Sequence, residues 1–437
     1  MMNLQRSIQP QDSDLKRLLQ RPVADNTTLS EVVRSIIQHV MNEGDSALLH
    51  YTHTFDSPLI TSIAPYPLNE EELEIDETMK KALLRAKDNI ERFHASQKQE
   101  PISIEIEEGV TLWRKSLPLE RVGLYIPGGS APLFSTLLML ATPARLAGCS
   151  EIMMCTPAQK DGTIDPILLY LASLFGITEV YPLGGAQAIA AMAYGTESIQ
   201  KVDKIFGPGN SYVTEAKMQV QHVCAIDMPA GPSEVMVVAD RSSNASFVAS
   251  DLLSQAEHGA DSQVMLIIYD SDIKQGSLIA DNVEDELKKQ LKSLKRSEIA
   301  TQALSHSNIF IVDSIKRVIT IMNQYAPEHL LLQTSFNDTL TQSVQHAGSV
   351  FVGSYSCEAT GDYASGTNHT LPTSGWARSY SGVNLDSFMK STTFQHVTKK
   401  GLLSLGPTVE LMAKREGLDA HAHAVNIRLQ ELKHSLN

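Results

Sequence analysis

The sequence predicts an α/β protein built from two Rossmann-like parallel-sheet domains, one inserted in the other, with small helical segments at the N and C termini. Three observations support this fold class. Short apolar strands alternate with helices from about residue 120 onward, which is typical of a parallel sheet covered on both faces. A Pro- and Gly-rich stretch at 228–234 interrupts the alternation, which then resumes. At 437 residues the chain is too long for one hydrophobic core.

The predicted domain boundaries follow from these breaks. The residues before the first strand block are joined to the second block because their helices can cover its sheet. In chain order we predict an N-terminal helical arm at 1–24, a discontinuous α/β domain 1 at 25–124 and 234–383, an inserted α/β domain 2 at 125–233, and a C-terminal helical segment at 384–437.

Two amphipathic helices are predicted ahead of the first strand block. Thr28 and Glu31 have the spacing of a capping box, and the apolar residues after them repeat at helical period until Gly44. A second apolar stripe at helical period runs from about Glu70 and ends before Pro101. We expect both helices to pack on the sheet of domain 1.

Domain 2 is predicted to alternate strands with helices. The predicted strands are RVGLYIP, EIMMC, EVYPL, VDKIF and CAID. Glycine-rich turns follow three of them, at 126–129, 183–187 and 206–210. Glycine after a strand lets backbone amides approach a phosphate at a helix N-terminus. None of the turns matches GxGxxG, so a dinucleotide is allowed, and glycines that only form turns explain the pattern equally well.

The alternation resumes in domain 1 and ends near Gly353. The predicted strands there include EVMVVAD, QVMLIIY, NIFIV and SVFVG. A long segment without periodicity follows, and its Tyr and His content favours a functional loop. The C-terminal segment is predicted to form two helices, with His421 and His423 at the start of the second. These helices cannot bury their own apolar face, so we expect them to dock on another surface such as a second subunit.

Composition excludes several classes of partner. The formal net charge of −14 argues against a nucleic-acid or anionic-membrane surface, because either needs clustered Lys and Arg. The first residues lack the basic and apolar runs of a signal peptide, and no window is apolar for long enough to span a bilayer. The four cysteines form no CxxC motif, which favours reduced thiols and a cytoplasmic location. We therefore expect a small-molecule partner.

An acid/base pair is the first candidate for chemistry. In the stretch NQYAPEHL, Pro327 ends a long amphipathic helix, and Glu328 and His329 begin the next element. Histidine titrates near neutral pH, and a partly desolvated glutamate can be tuned to deprotonate water. A solvated strand edge or a capping pair would show the same two residues, so the pair alone does not decide between these interpretations.

A metal site is the second candidate. Gln255 and His258 are spaced i,i+3, so they share one face in the last turn of a predicted helix. Complementing the dipole of that helix is the other interpretation of His258. Asp362 and His421 are further ligand candidates, and the four residues together suit zinc or a similar ion. Their separation in sequence leaves open whether they converge. His369 is either a second base or a donor that locks the loop.

The sequence segments that contain these candidates resemble those of the histidinol dehydrogenase family. The matching segments, in the family's order, are VGLYIPGGSAPLFST, GGAQAIAA, VDKIFGPGN, DMPAGPSE, DLLSQAEHG, APEHL, GDYASGTNH and LDAH. They span about residue 120 to the C terminus, and only the first hundred residues are weakly matched. The resemblance implies oxidation of L-histidinol to L-histidine through histidinaldehyde with two NAD and one zinc, the last two steps of histidine biosynthesis. It also implies a homodimer whose subunits share active sites.

The resemblance implies roles for individual residues as well. The implied metal ligands are Gln255, His258, Asp362 and His421. The implied NAD contacts are Tyr125, Gln187 and Asn210. The implied substrate contacts are Ser233, Gln255, His258, Glu328, His329, Asp362, Glu416 and His421. From their chemistry we expect His329 to take a proton in both oxidations, and Glu328 to deprotonate the water that hydrates the aldehyde.

Two other classes of protein are alternatives. A zinc-dependent hydrolase of a small substrate would also use a glutamate, a histidine and a metal, but it would leave the glycine-rich turns of domain 2 without a purpose. A non-catalytic two-lobed binding protein fits the domain layout, yet it needs no acid/base pair. Fold analogy alone does not choose among the three classes, whereas the set of motifs favours the dehydrogenase.

Overall fold

The computed structural model describes residues 4–22, 26–68, 73, 75–128 and 133–436. The predicted helix start near Glu70 and Gly129 of the first glycine-rich turn lie outside these residues. The chain forms two compact units, Met1–Gln97 with Leu119–Phe388 and Lys98–Pro118 with Met389–Asn437. Among the described helices, none has an apolar stretch long enough to cross a bilayer.

The strands and helices are as follows. The strands are β1 Gln5–Ile8, β2 Ser103–Glu107, β3 Val110–Pro118, β4 Arg121–Tyr125, β5 Glu151–Thr156, β6 Glu179–Pro182, β7 Lys204–Phe206, β8 Ala225–Ile226, β9 Glu234–Ala239, β10 Gln263–Tyr269, β11 Asn308–Val312, β12 His329–Gln333, β13 Ser349–Val352 and β14 Met389–Val397. The α-helices are α1 Asp12–Leu18, α2 Asn26–Glu43, α3 Asp45–Tyr51, α4 Glu77–Ala95, α5 Phe134–Ala147, α6 Pro166–Leu174, α7 Gly185–Tyr194, α8 Ser211–Val220, α9 Ala245–Ala256, α10 Ile273–Leu291, α11 Ser297–Ser305, α12 Ile315–Tyr325, α13 Asn337–Ser343, α14 Glu358–Tyr363, α15 Lys399–Arg415 and α16 Asp419–Leu436. A π-helical turn covers Thr52–Asp56, and 3₁₀ turns cover Trp376–Arg378 and Leu385–Phe388.

The first strand block forms a five-stranded parallel sheet in the first unit. Its order is β6-β5-β4-β7-β8, and every neighbouring pair is parallel. α5 and α6 form one hydrophobic core with the sheet, whereas α7 and α8 form another. β4 is buried along its whole length because both faces are covered.

The second strand block forms a six-stranded parallel sheet in the same unit. Its order is β1-β11-β10-β9-β12-β13. Successive residues of β9 enter opposite cores: Val235 and Val237 pack with α9, α10 and α11, and Met236 and Val238 pack with α1 and α12. Every residue of β9 is therefore apolar except its first. The fold class predicted from the sequence, with two parallel sheets, is confirmed.

The two sheets share a strand order but differ in the groups that lie at the carboxyl ends of their strands. Counted from β4 and from β9, the five-stranded sheet and the five strands β11-β10-β9-β12-β13 both read 3-2-1-4-5, and β1 is added at the edge of the second sheet. The usual ligand crevice of this order lies at the carboxyl ends of strands 1 and 4. In the six-stranded sheet polar groups at these strand ends hydrogen-bond to one another. The Asp240 carboxylate accepts hydrogen bonds from the amides of Ser242 and Ser335, each at 2.8 Å, and the Ser243 hydroxyl donates to the Gln333 carbonyl.

The early helices pack on the five-stranded sheet, so the expectation that they cover the six-stranded sheet was wrong. Val33 and Ile37 of α2 lie in the core formed by α7 and α8, and Leu83 and Ile90 of α4 lie in the core formed by α5. An apolar stripe predicts that a helix packs but does not identify the surface it packs on.

The N-terminal arm is not purely helical, which corrects a second expectation. β1 pairs in parallel with β11 at the edge of the six-stranded sheet. α1 follows it and buries Leu15 in a core of the same sheet. The remaining domain boundaries stay predictions.

The second unit combines a three-stranded antiparallel sheet with the two predicted C-terminal helices, α15 and α16. The strand order is β14-β3-β2, and β14 is a strand that the helical prediction for this segment missed. Trp113 and Phe394 occupy paired positions on β3 and β14, and their rings stack with centroids 5.3 Å apart. Large apolar side chains of this unit are exposed, among them Ile102, Ile104, Ile106, Leu411, Met412, Leu418 and Ile427.

Candidate active site and dinucleotide cavity

The turn after α12 places Glu328 and His329 at the amino end of a buried strand. The C-cap residue of α12 is Ala326, whose φ of +53° lies in the left-handed region that non-glycine residues rarely adopt. Pro327 follows it and cannot continue a helix. His329 then begins β12 and pairs with Val235 of β9. The pair thus lies at the opposite rim from the usual ligand crevice of a parallel sheet.

Glu328 is a buried carboxyl group that can exchange a proton near neutral pH. It is 6% exposed, and its Oε2 accepts a hydrogen bond from the Glu234 amide at 2.8 Å. The same oxygen lies 3.6 Å from Nδ1 of His329. Burial raises the pKa of Glu328 to about 7, against the opposing effects of His329 and of the Glu234 amide. A carboxylate with this pKa is suited to act as a general base on water.

Arg21 of the N-terminal arm holds Glu234 in place. Its guanidinium forms an ion pair with the buried Glu234 carboxylate and lies 4.2 Å from the centroid of the Tyr325 ring. The backbone of Glu234 in turn contacts both members of the pair, because its amide donates to Glu328 and its carbonyl oxygen lies 3.3 Å from Nδ1 of His329. The arm, which the family resemblance matches only weakly, therefore supports the acid/base pair.

His329 lies among three carboxylates. Its Nε2 is 3.5 Å from Oδ1 of Asp362, which makes an ion pair longer than a good hydrogen bond, and neither atom has a hydrogen-bond partner among the described residues. Burial lowers the pKa of His329, but Glu358, Glu328 and Asp362 together raise it to about 10. The site holds three carboxyl groups around one histidine. A cation bound beside these carboxylates would oppose their effect and lower the pKa of His329 toward a range in which it can accept a proton.

His258, Glu358 and Asp362 form a group of candidate metal ligands. One ligand atom from each lies within 4.8 Å of the others. His258 follows the end of α9, where the unpaired helix carbonyls favour a cation. Glu358 and Asp362 are spaced i,i+4 on α14, a short helix inside the segment predicted to be an aperiodic loop.

Glu358 is the functional residue that the sequence analysis missed. It is almost fully buried, and burial raises its pKa to about 8. Its carboxylate is the third member of the candidate metal group. The available signal was its position four residues before Asp362, which indicates a shared face only if the segment is helical.

Gln255, a predicted metal ligand, connects this group to the acid/base pair. It is buried on α9, near His258. With its amide oriented to donate, its nitrogen lies 3.0 Å from Oε1 of Glu358 and 3.1 Å from Nδ1 of His329. Its place as a ligand to the ion stays a prediction.

The side chains of this group fit zinc. Imidazole nitrogen and carboxylate oxygen are the ligands that zinc takes at about 2.0–2.2 Å. The unpartnered oxygen of Asp362, the carboxyl end of α9 and the cluster of carboxyl groups all favour a divalent cation at this place.

The other predicted substrate and metal residues lie at the same rim or in the second unit. Ser233 directly precedes β9, so it lies at the same rim as the acid/base pair. Glu416 caps the end of α15 and His421 lies in the first turn of α16, and both are exposed.

His369 locks the loop that follows α14. Its Nδ1 lies 2.9 Å from the carbonyl oxygen of Asp362, and its Nε2 lies 3.3 Å from the Thr136 hydroxyl at the start of α5. Burial lowers the pKa of His369, so the neutral ring donates from Nδ1 and accepts from Thr136 at Nε2. Of the two interpretations for His369, these contacts favour the locking donor.

A cavity of about 1100 Å³ opens at the carboxyl ends of β4 to β7. The three predicted NAD contacts, Tyr125, Gln187 and Asn210, all line it. The Tyr125 hydroxyl accepts a hydrogen bond from the Gly185 amide at 3.1 Å. Gln187 is 1% exposed, and its amide nitrogen has no hydrogen-bond partner among the described residues. A ligand in the cavity can supply the acceptor that this buried donor lacks, so the residues present fit a dinucleotide.

Comparison with known proteins identifies the family. The family model described as Histidinol dehydrogenase matches residues 19–429. Histidinol dehydrogenase of Bacteroides fragilis is 49% identical over 427 residues, which cover 97% of this chain and 98% of the relative. That of Vibrio cholerae is 48% identical over 428 residues and 97% of each chain. A crystal structure of histidinol dehydrogenase from Elizabethkingia anophelis matches with a TM-score of 0.93 and 50% identity over 99% of both chains. The chain belongs to the histidinol dehydrogenase family, as its motifs predicted.

Proposed function

We propose that Glu328 and His329 are the acid/base pair with which the chain oxidises L-histidinol to L-histidine. As a member of its family the chain is an NAD-dependent oxidoreductase of histidine biosynthesis, with histidinol and NAD as substrates and zinc as its metal. One observation supports the assignment most: a buried glutamate with a pKa of about 7 touches a histidine that also contacts the candidate metal ligands.

In the first oxidation His329 accepts the proton of the substrate hydroxyl as the carbon loses a hydride. Expelling a hydride is far easier from a developing alkoxide than from a neutral alcohol, so a base at this oxygen lowers the barrier. Nε2 of His329 has no hydrogen-bond partner among the described residues, and its contact with Oδ1 of Asp362 at 3.5 Å is longer than a good hydrogen bond.

The second oxidation needs water first. Glu328 deprotonates the water that attacks the aldehyde, and His329 returns the proton of the first oxidation to the aldehyde oxygen, so a gem-diol forms and His329 is again a free base. Glu328 then releases its proton to solvent. His329 then accepts a proton from the gem-diol as the second hydride leaves. Because one pair of adjacent residues serves both steps, the aldehyde does not have to leave the site.

The chain's own residues bind and orient what these steps require. Bound NAD accepts the hydride of each oxidation, and bound zinc holds and orients the substrate. The proposed zinc ligands are Gln255, His258, Asp362 and His421, and Glu358 lies beside them. The proposed NAD contacts are Tyr125, Gln187 and Asn210. Ser233 and Glu416 are proposed to contact the substrate.

Counting the NADH formed per histidinol tests this function. A limiting amount of histidinol added to the zinc-loaded chain with excess NAD is expected to yield two NADH per histidinol, because both oxidations take place at one site. Absorbance of NADH measures the yield, and a sample without histidinol is the control. One NADH per histidinol, with the aldehyde accumulating, would contradict the proposal. The hydrolase alternative, which the family membership leaves without support, forms no NADH.

We also propose a homodimer in which the second unit completes the partner's active site, and a cytoplasmic location. The exposed apolar residues of the second unit support an interface, since Ile102, Leu411 and Met412 are each more than half exposed. His421 and Glu416 are exposed on that unit and so are accessible to a partner. All four cysteines are free thiols, which is consistent with a reducing compartment.

Mixed dimers test this sharing of residues. We expect His258→Ala and His421→Ala to be inactive alone, because each removes a proposed metal ligand. Random mixing of the two should restore about a quarter of wild-type activity, since half of the dimers then contain one intact site. The measurement is NADH formation after coexpression of the two chains. If His421 served its own subunit, every site in the mixture would lack a ligand and no activity would return.

A further inference from the structure

The cavity that holds the proposed NAD contacts has a wall that the preceding assignments do not use. Phe55 and Asp56, at the end of the π-helical turn that extends α3, line this wall. π-helical turns are rare and are frequent at functional sites. The Lys160 ammonium donates to the carbonyl oxygens of Phe55 at 3.2 Å and Asp56 at 2.7 Å. The turn is therefore fixed against the cavity.

The carboxylate of Asp56 occupies the amino end of α7. Its Oδ2 accepts a hydrogen bond at 3.2 Å from the amide of Gly184, the residue that precedes the helix. A helix amino end is where a dinucleotide phosphate commonly binds. Here a fixed negative charge already takes that place, so a phosphate group is repelled from this part of the cavity.

A second oxygen of Asp56 is available to a ligand. Among the described residues Oδ1 has no hydrogen-bond partner. Burial raises the pKa of Asp56 to about 6, so the carboxylate is charged at pH 8. The other charged residues that line the cavity are Lys160, which is held by the two carbonyls, and Asp165, which caps α6. Asp165 uses its Oδ1 to cap α6, whereas Asp56 lies at the amino end of α7 with Oδ1 free to accept.

We propose that Asp56 selects NAD over NADP: its carboxylate accepts a hydrogen bond from a hydroxyl of the adenosine ribose and repels a phosphate at the 2′ position. In other dinucleotide-binding folds an acidic residue also binds the ribose hydroxyl and disfavours a 2′-phosphate, but that residue follows the second strand of the sheet. In this chain the acid comes from a helix outside the sheet. The inference rests on the proposed cofactor cavity and adds the selection between two cofactors.

The test compares kcat/KM for NAD and for NADP at pH 8 in the zinc-loaded full chain. Asp56→Asn keeps an oxygen for the Gly184 amide but removes the charge. We expect its ratio of kcat/KM for NADP to that for NAD to rise by about 10- to 100-fold, as removal of a charge repulsion at close range predicts. Asp56→Glu keeps the charge and should keep the preference for NAD. Asp161→Asn is the matched control, because Asp161 is exposed and, among the described residues, its side chain hydrogen-bonds within its own turn, to Thr163.

Gln187→Ala separates a failure of this inference from a failure of the cofactor cavity itself. If the cavity binds NAD, Gln187→Ala raises KM for NAD. A ratio in Asp56→Asn within twofold of wild type would then overturn the role of Asp56 alone. If neither variant changes the KM for NAD or the ratio while histidinol is still oxidised, the cavity is not the cofactor site and both proposals are wrong.

Discussion

His329→Asn is expected to lower kcat about 10²- to 10⁴-fold in both oxidations, because general-base catalysis by one residue contributes about this much and His329 serves both steps. Zinc should remain bound, since His329 lies beside the candidate ligands at 3.5 Å from Asp362 but is not one of them. The measurements are single-turnover NADH formation from histidinol and from histidinaldehyde, with the zinc content of the purified variant.

Two comparison variants make this result specific. His306→Asn changes another histidine at the amino rim of the six-stranded sheet, whose ring hydrogen-bonds to the carbonyl of Ser262 and not to the candidate site, so kcat should stay near the wild-type value. His258→Ala should lose the metal. If His329→Asn also lost its zinc, His329 would be a ligand and its role as the base would be wrong.

Glu328→Gln is expected to slow the conversion of added histidinaldehyde about 10²- to 10³-fold, but the oxidation of histidinol to the aldehyde less than about 10-fold. The reason is that only the second step needs a base for water. Glutamine can still accept the hydrogen bond from the Glu234 amide, so the geometry at this buried position is retained. Equal losses in the two half-reactions would contradict the division of roles.

The pH dependence gives the same assignment a second test. Burial raises the pKa of Glu328 to about 7, and the base must be ionised, so wild-type conversion of the aldehyde should fall as the pH drops through 7. The glutamine variant should lack this ionisation. A raised carboxyl pKa also affects stability, because the fold loses stability as the pH rises from the ordinary carboxyl value of 4.5 through about 7, and above this range Glu328 is a buried charge. The thermal midpoint of the variant at pH 8 should therefore be no lower than that of wild type.

Much of the fold could be predicted because the central strands are fully buried. β9 and β10 are continuous apolar runs between polar turns, and such runs have few other interpretations. β1 could not be predicted in this way, because its sequence QRSI contains three polar residues and belongs to a strand at the edge of the sheet. The partner surface of α2 and α4 depends on contacts distant in sequence, which periodicity does not encode.

The candidate site was predictable only where neighbouring residues carried the pattern. Gln255 and His258 share a helical turn, and Glu328 and His329 follow a helix-ending proline, so both pairs were found. Asp362 comes close to His258 and His329 only through tertiary folding. The resemblance to the family, and not the spacing in the sequence, identified Asp362 as a candidate ligand. Glu358 was missed because α14 is six residues long and has no apolar stripe.

The polar crevice between β9 and β12 has a consequence for how cofactor molecules succeed one another. Asp240 and its serine partners hydrogen-bond to one another at the strand ends where a Rossmann-like sheet usually binds a dinucleotide. If the cofactor binds in the cavity of the other sheet, the two NAD molecules of a turnover must bind at the same site, one after the other. NADH has to dissociate and a second NAD has to bind while the aldehyde intermediate remains bound. The aldehyde must therefore dwell on the protein longer than the reduced nucleotide, and a rapid-mixing record in which the second NADH lags the first would reveal that exchange.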